Sequence, residues 1–311
     1  MSRSATDLPS TTVPGTVATR SAAPGGPNAL ALTWRLFGRN TLTLLGLAIV
    51  GLFLLLAVAA PIVAPEGYAA QNVRARLGPM SFEHPLGTDE LGRDILDRII
   101  WGTRISLVAG VISVFIGMLV GVTVGLVAGY TRGVVDNVLM RLVDIMLSLP
   151  FFLLAIVIVS VGGGSLQSVM IAIGAWTIPS YARIVRSQTL VMRERAFVEA
   201  ARSLGVPGVW IILRHILPNI VGPILVEGSL RVGHAILAEA ALSFLGLGVP
   251  PPEPSWGAML LGAQPYFRSA PWVAIFPGLA ITITVLGFNL VGDGLRDAID
   301  PKLRSQAKLV Q

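Results

Sequence analysis

Four ionisable residues interrupt one of the most apolar parts of this sequence. Glu227, Arg231 and His234 are spaced by four and three residues, which places them on one face of a helix. Glu239 falls roughly a third of a turn away. Charged groups at membrane depth are costly, so they face a pathway or one another. Two readings follow. The face lines a route for a zwitterionic solute, or Glu227 and Arg231 form an internal ion pair that fixes helix packing. Neither arrangement transforms a substrate. The sequence has no His-Glu-x-x-His pair, no serine-nucleophile motif and no glycine-rich loop leading into Lys-Ser or Lys-Thr, its only lysines being Lys302 and Lys308. It also has no cysteine, which removes thiolate nucleophiles, disulfides and thiolate metal sites. His84 and the acids between Gly87 and Asp94 suggest metal capture only faintly, since one histidine with scattered carboxylates makes a poor site. We therefore expect no catalytic residue, metal or cofactor in this chain.

The elements that must position these groups are apolar helices. Of 311 residues 53% are hydrophobic and 13% charged, and the mean hydropathy is +0.75, more apolar surface than a water-soluble core can hide. The net charge of +6 is mostly arginine, which in a membrane protein marks cytoplasmic loops rather than nucleic-acid binding. Residues 1–34, rich in Ser, Thr, Pro, Gly and Ala, read as a disordered tail. The run Leu42 to Val63 is long enough to cross a hydrocarbon core about 30 Å thick. A cleaved signal peptide is its rival, with Ala57-Val58-Ala59 as the site, but the long leader before Arg39 and the many later spans oppose removal.

Residues 64–103 read as an extramembrane loop. Further spans are expected over Ile105 to Tyr130, Val138 to Val161, Leu166 to about Arg186, Ile220 to Leu247 and Trp272 to Val291, with Gly162 to Ser165 as a tight outer turn. Gly117, Gly121, Gly125 and Gly129 recur every four residues and make a thin stripe suited to helix packing. Arg141 is expected to pair with Asp144, and Arg296 with Asp300. The arginine distribution places both termini in the cytoplasm, with Arg35, Arg39, Arg132, Arg183, Arg186, Arg193, Arg195, Arg202 and Arg214 inside and Arg74, Arg76, Arg93, Arg98, Arg104 and Arg268 outside. The chain thus divides into the tail, a first span with its outer loop (35–104), a core (105–296) containing a cytoplasmic loop (190–219), and a C-terminal tail (297–311).

That loop is the most distinctive segment. Arg193 to Leu204 reads as a short helix ended by Gly205 and Pro207, followed by a second short helix, Val209 to Leu217, that stops at Pro218. On the first, Ala196 and Ala200 lie one turn apart, as do Phe197 and Ala201, leaving a smooth face with one aromatic knob that fits a groove on another protein. Glu199 lies within reach of Arg195 and Arg202. An amphipathic helix resting on lipid headgroups is the alternative.

The order Glu199-Ala200-Ala201, three residues, Gly205, then Leu217-Pro218 resembles the Glu-Ala-Ala loop of permease subunits of bacterial binding-protein-dependent ABC importers, departing from it at His215. His84 to Asp94, Met140 to Asp144, Ala241 to Gly248 and Gly292 to Lys302 are similar to the dipeptide, oligopeptide and nickel permeases, in particular their C-type partner, over roughly residues 35 to 304. This resemblance implies an all-α membrane protein of six transmembrane helices with the type I ABC importer permease fold, in the bacterial cytoplasmic (inner) membrane. It implies a second homologous permease, two ATPase subunits that hold ATP and Mg, and an extracytoplasmic solute-binding protein as partners. Glu199, Ala200, Ala201, Gly205, Leu217 and Pro218 would then form the ATPase-coupling loop, and Glu227, Arg231, His234 and Glu239 the candidate translocation path. The cargo is expected to be dipeptides or oligopeptides, with nickel or glutathione as alternatives. A secondary transporter is the rival from another class, but paired repeats and interrupted midplane helices are not evident in the sequence. An intramembrane enzyme, the second rival, lacks a catalytic constellation.

Overall fold

The structure, a computed structural model, describes residues 40–299. The two tails, with Arg35, Arg39, Lys302 and the Arg296 to Asp300 pair, lie wholly or partly outside the described residues. Nine helices carry the described fold: α1 (Thr41–Val63), α2 (Ile95–Thr131), α3 (Gly133–Ser148), α4 (Phe151–Gly162), α5 (Leu166–Arg193), α6 (Ala196–Ser203), α7 (Gly208–Phe244), α8 (Trp256–Ala263) and α9 (Trp272–Ile299). Among the described residues the one isolated β-bridge joins Thr88 and Asp94.

Caps explain where helices begin. The Asn40, Asp94, Ser165 and Ser255 side chains accept from backbone N–H groups two or three residues on, each satisfying a donor that the first turn leaves orphaned. The Asp94 cap moves the start of α2 ten residues ahead of the apolar run at Ile105. At 37 residues α2 is about 55 Å long, well beyond a hydrocarbon core, so its first turns project from it.

Five helices are long and apolar enough to span a membrane: α1, α2, α5, α7 and α9. The third expected span is not one rod. It divides into α3 and α4, bent by 93° at Leu149-Pro150, so the total is five spans, or six if the bent pair counts as one. Proline has no N–H and forces the residue before it out of helical geometry, and Leu149 is extended at φ −87°, ψ 127°. Reading an apolar run straight through Pro150 missed this break.

The glycine stripe of α2 packs against α5. A Cβ at Gly121 would stand 2.6 Å from the Ile178 carbonyl oxygen, and one at Gly125 equally close to that of Ala182. The α2 and α5 backbones are therefore in direct contact, as small-residue stripes in membranes allow. Peripheral α1 leans on α9, where Gly46 fits under Leu290 and Gly294 against Thr43. Phe53 and Ala60 are also buried, while Leu42, Leu55, Val58 and Ile62 face outward as an apolar surface.

Candidate coupling surface and translocation face

Helix α6 ends as its residues dictate. Gly205 sits at φ +74°, its N–H donates to the Arg202 carbonyl (3.0 Å), and the Val206 N–H donates to that of Ala201 (3.1 Å). This double closure is a Schellman motif, and Pro207 prevents continuation. The helix turns Val198 and Ala201 into its own chain, both buried, and leaves Ala196, Phe197, Glu199, Ala200 and Ser203 exposed. Ala201 therefore belongs to the helix's inner face rather than to the smooth outer one. Glu199 makes no salt bridge with Arg195 or Arg202 among the described residues. The Arg202 guanidinium lies over the Tyr130 ring instead, 5.8 Å from its centroid.

Tyr130 is the residue that sequence reasoning missed. Arg193 also lies over its ring (5.9 Å) and donates from Nη1 to its carbonyl oxygen (2.5 Å), while Gly208 allows α7 to begin directly beside it. Arg132 donates to Glu194 at 2.6 Å. Both segments that flank α6 are thus tied to the end of α2. The signal was an aromatic residue directly after the glycine stripe, facing a cluster of arginines.

The return segment differs from the expectation of a helix stopping at Pro218. α7 runs unbroken from Gly208 to Phe244, with a π-helical stretch at Ile212–Ile216 where the Leu217 N–H reaches back to the Ile212 carbonyl. The widened turn admits a ring that has no N–H to donate, and Pro218 sits in the first turn of the segment that follows. Leu217 is half-buried and Pro218 exposed. His215, the departure from the usual loop pattern, sets its ring 6.5 Å from that of Phe197, between return segment and α6.

Higher on α7, Arg231 Nε donates to Glu227 Oε1 at 2.6 Å and its Nη2 donates to Ser180 Oγ of α5 at 2.7 Å. The guanidinium lies over Trp176 at 5.9 Å. His234 is exposed, with Nδ1 2.9 Å from the Leu230 carbonyl. Glu239 does not join them. It is fully buried, and the hydroxyls of Ser106 on α2 and Ser243 on α7 donate to its two oxygens at 3.1 and 2.7 Å. The structure thus brings Glu227 and Arg231 together, leaves His234 alongside, and assigns Glu239 to a polar junction between helices.

α3 is held to α5 by two ion pairs. Arg186 grips Asp136 with two hydrogen bonds (2.5 and 2.7 Å), and Arg183 donates to Asp144 at 2.7 Å. Asp144 is therefore paired with a neighbouring helix and not with Arg141 three residues away, because α5 presents its arginine at closer range. At the far end of α2 the segment 64–94 folds over its own chain. Asp89 accepts from the Arg93 Nε at 2.6 Å and lies 3.5 Å from Arg98 Nε, and Trp101 and Trp256 donate to the Ala64 and Ile99 carbonyls. His84 is engaged with Asp94 at 2.8 Å. Among the described residues no three His, Asp or Glu side chains converge as a metal site would require.

Residues 121–305 match the family described as the binding-protein-dependent transport system inner membrane component, and residues 29–80 match the N-terminal TM domain of oligopeptide transport permease C. The chain is 46% identical to the dipeptide transport system permease protein of Alkalihalophilus pseudofirmus, over 86% of this chain and 88% of that one. It is 49% identical to the glutathione transport system permease protein of Pectobacterium atrosepticum, over 88% and 92%. Among solved structures it is similar to a chain of the MetNI methionine ABC transporter in an inward-facing conformation, with a TM-score of 0.55 at 20% identity, covering 65% of this chain and 97% of that one. At that identity the likeness concerns the fold.

Proposed function

Since the chain belongs to the binding-protein-dependent transport system inner membrane component family and is a permease of such an importer, we propose that it carries short peptides inward across the bacterial cytoplasmic membrane. It does so beside a second homologous permease, and is driven by two ATPase subunits that bind ATP and Mg. A solute-binding protein delivers the cargo from outside, and both termini lie in the cytoplasm. Peptides are favoured over nickel because the relatives compared are named for dipeptides and for glutathione, itself a tripeptide.

One observation carries the coupling role: α6 is closed by a Schellman motif, seated on Tyr130, and exposes Glu199 and Ala200. A short rigid helix tied to α2, α5 and α7 at once transmits movement of whatever docks on it into the spans. Alternating access follows when the ATPases bind two states of that surface with different affinity. Glu199, Ala200, Gly205, Leu217 and Pro218 form the docking segment, with Ala201 as its inward anchor.

Gly205 supplies the test. A Cβ there meets nothing of this chain within 4 Å, so within the chain a substitution is felt through the positive φ. Gly205→Val is expected to abolish peptide uptake by the assembled transporter while the chain still reaches the membrane. Gly205→Asn, whose side chain tolerates the left-handed region, should keep most of it. Full uptake in both variants would refute the coupling role.

A further inference from the structure

The Glu227–Arg231 pair has a neighbourhood that neither reading of the sequence included. Phe151, the first residue of α4 after the Leu149-Pro150 break, sets its ring 4.8 Å from Trp176, and Phe152 lies 5.1 Å from Phe151. Trp176 in turn underlies the Arg231 guanidinium. A continuous strip, aromatic at one end and charged at the other, therefore runs from the helix break to Glu227. The break itself is exposed at Leu149 and Pro150, and irregular backbone in a membrane protein is tolerated only beside protein or water.

The hydrogen bonding of the pair is incomplete in a specific way. Arg231 uses Nε on Glu227 and Nη2 on Ser180, and among the described residues its Nη1 has no partner. Glu227 uses Oε1 only, leaving Oε2 as an acceptor. Both side chains are partly exposed, at 23% and 17%. The unused Nη1 and Oε2 are not buried, so water or a solute can reach them. The guanidinium lies over the Trp176 indole, is held by Glu227 and Ser180, and has a free donor beside a free acceptor.

We propose that Arg231, Glu227, Trp176 and Phe151 form one half of a transit site that reads the free carboxylate and ammonium termini of a short peptide, with the aromatic strip receiving its side chains. The proposal rests on the peptide-importer reading above. Arg231 takes the carboxylate on Nη1, Glu227 Oε2 takes the ammonium, and Ser180 and Trp176 position the guanidinium. Because Glu227 already neutralises Arg231, the hold on a carboxylate is weak, as a site that must release its cargo requires.

The test uses the assembled transporter, with second permease, ATPases and binding protein, in proteoliposomes. This chain has no cysteine, so with cysteine-free partners an introduced thiol reports on one position. Uptake is followed with a mixture of radiolabelled alanine di-, tri- and tetrapeptides. Arg231→Cys is expected to lower uptake at least about tenfold, the scale of one lost charged hydrogen bond. Aminoethyl methanethiosulfonate, which restores an ammonium, should recover much of it. The sulfonatoethyl reagent, similar in length and opposite in charge, should recover none. Ser180→Cys, a near-isosteric change that guards against misfolding of Arg231→Cys, should react with the water-soluble reagent and be protected during peptide turnover. Thiols that stay unreactive, react without protection by peptide, or regain uptake equally with both reagents overturn the half-site and leave the pair as a pin between α5 and α7. A different result, no peptide uptake by the unmodified complex, overturns the peptide reading and the carboxylate assignment with it.

Discussion

The two ends of α2 are both charged, yet they are built in opposite ways. At the Asp94 end the charges are internal. Asp89, Arg93 and Arg98 are each less than a tenth exposed, and Asp89 also accepts from the Leu91 and Arg93 N–H groups. The backbone there is knitted to itself: Leu77 donates to the Asp89 carbonyl, Thr88 to that of Gly78 and Ile95 to that of Gly87. At the Thr131 end the Arg132–Glu194 pair lies outside, about half exposed, and the loop is held by the Arg193 and Arg202 guanidiniums that converge on Tyr130. Buried, mutually satisfied charges fix one geometry because any rearrangement strands an ion. An exposed pair such as Arg132–Glu194 is exchanged with water at small cost. The first end is a rigid cap, and the second holds a surface in place while permitting it to shift.

Substitutions at each end break or sharpen this contrast. The largest effect is expected for Asp89→Ala, which leaves the buried Arg98 guanidinium without a carboxylate, leaves Arg93 with Glu90 alone, and removes the acceptor of two backbone donors. A loss of about 3–5 kcal/mol is expected for a broken buried pair, visible as a lower unfolding midpoint in detergent or as failure to accumulate in the membrane. Tyr130→Leu should cost less stability, about 1–2 kcal/mol for two stacked guanidiniums. Its signature should be functional, a lower ratio of peptide uptake to ATP hydrolysis in the assembled transporter. A Tyr130→Leu variant as unstable as Asp89→Ala, with that ratio unchanged, would make both ends alike. Glu194→Gln removes an exposed pair and should change stability by less than about 1 kcal/mol, with the difference vanishing in high salt.

Much of the architecture was legible because it depends on local chemistry. The stop at Gly205 followed from a glycine before a proline, and the packing role of Gly117 to Gly129 from a repeat of four. Less legible were features where a local rule met a distant partner. Pro150 and Pro218 are both prolines after leucine in apolar helical sequence. One breaks its helix by 93° and the other is absorbed by a π turn, since the Phe151 ring finds Trp176 across the bend while the segment around Ile216 and Ile220 is buried in line with α7. The same proline rule applies to both, and the surroundings decide the outcome.

Composition and apolar runs were enough to place this chain in a membrane and to locate most of its spans, and residues 190–219 stood out by their motif. Those properties are sums over composition or short spacings, which neighbours along the chain set. Tertiary structure alone decided that Asp144 pairs with Arg183 across 39 residues, that Glu239 is enclosed by serines apart from Arg231, and that Tyr130 seats the loop from 63 residues away. A charge at one position has several candidate partners within its own helix turn. Which one it takes depends on how closely two backbones approach, and that distance exists only once the glycine stripe of α2 has met α5.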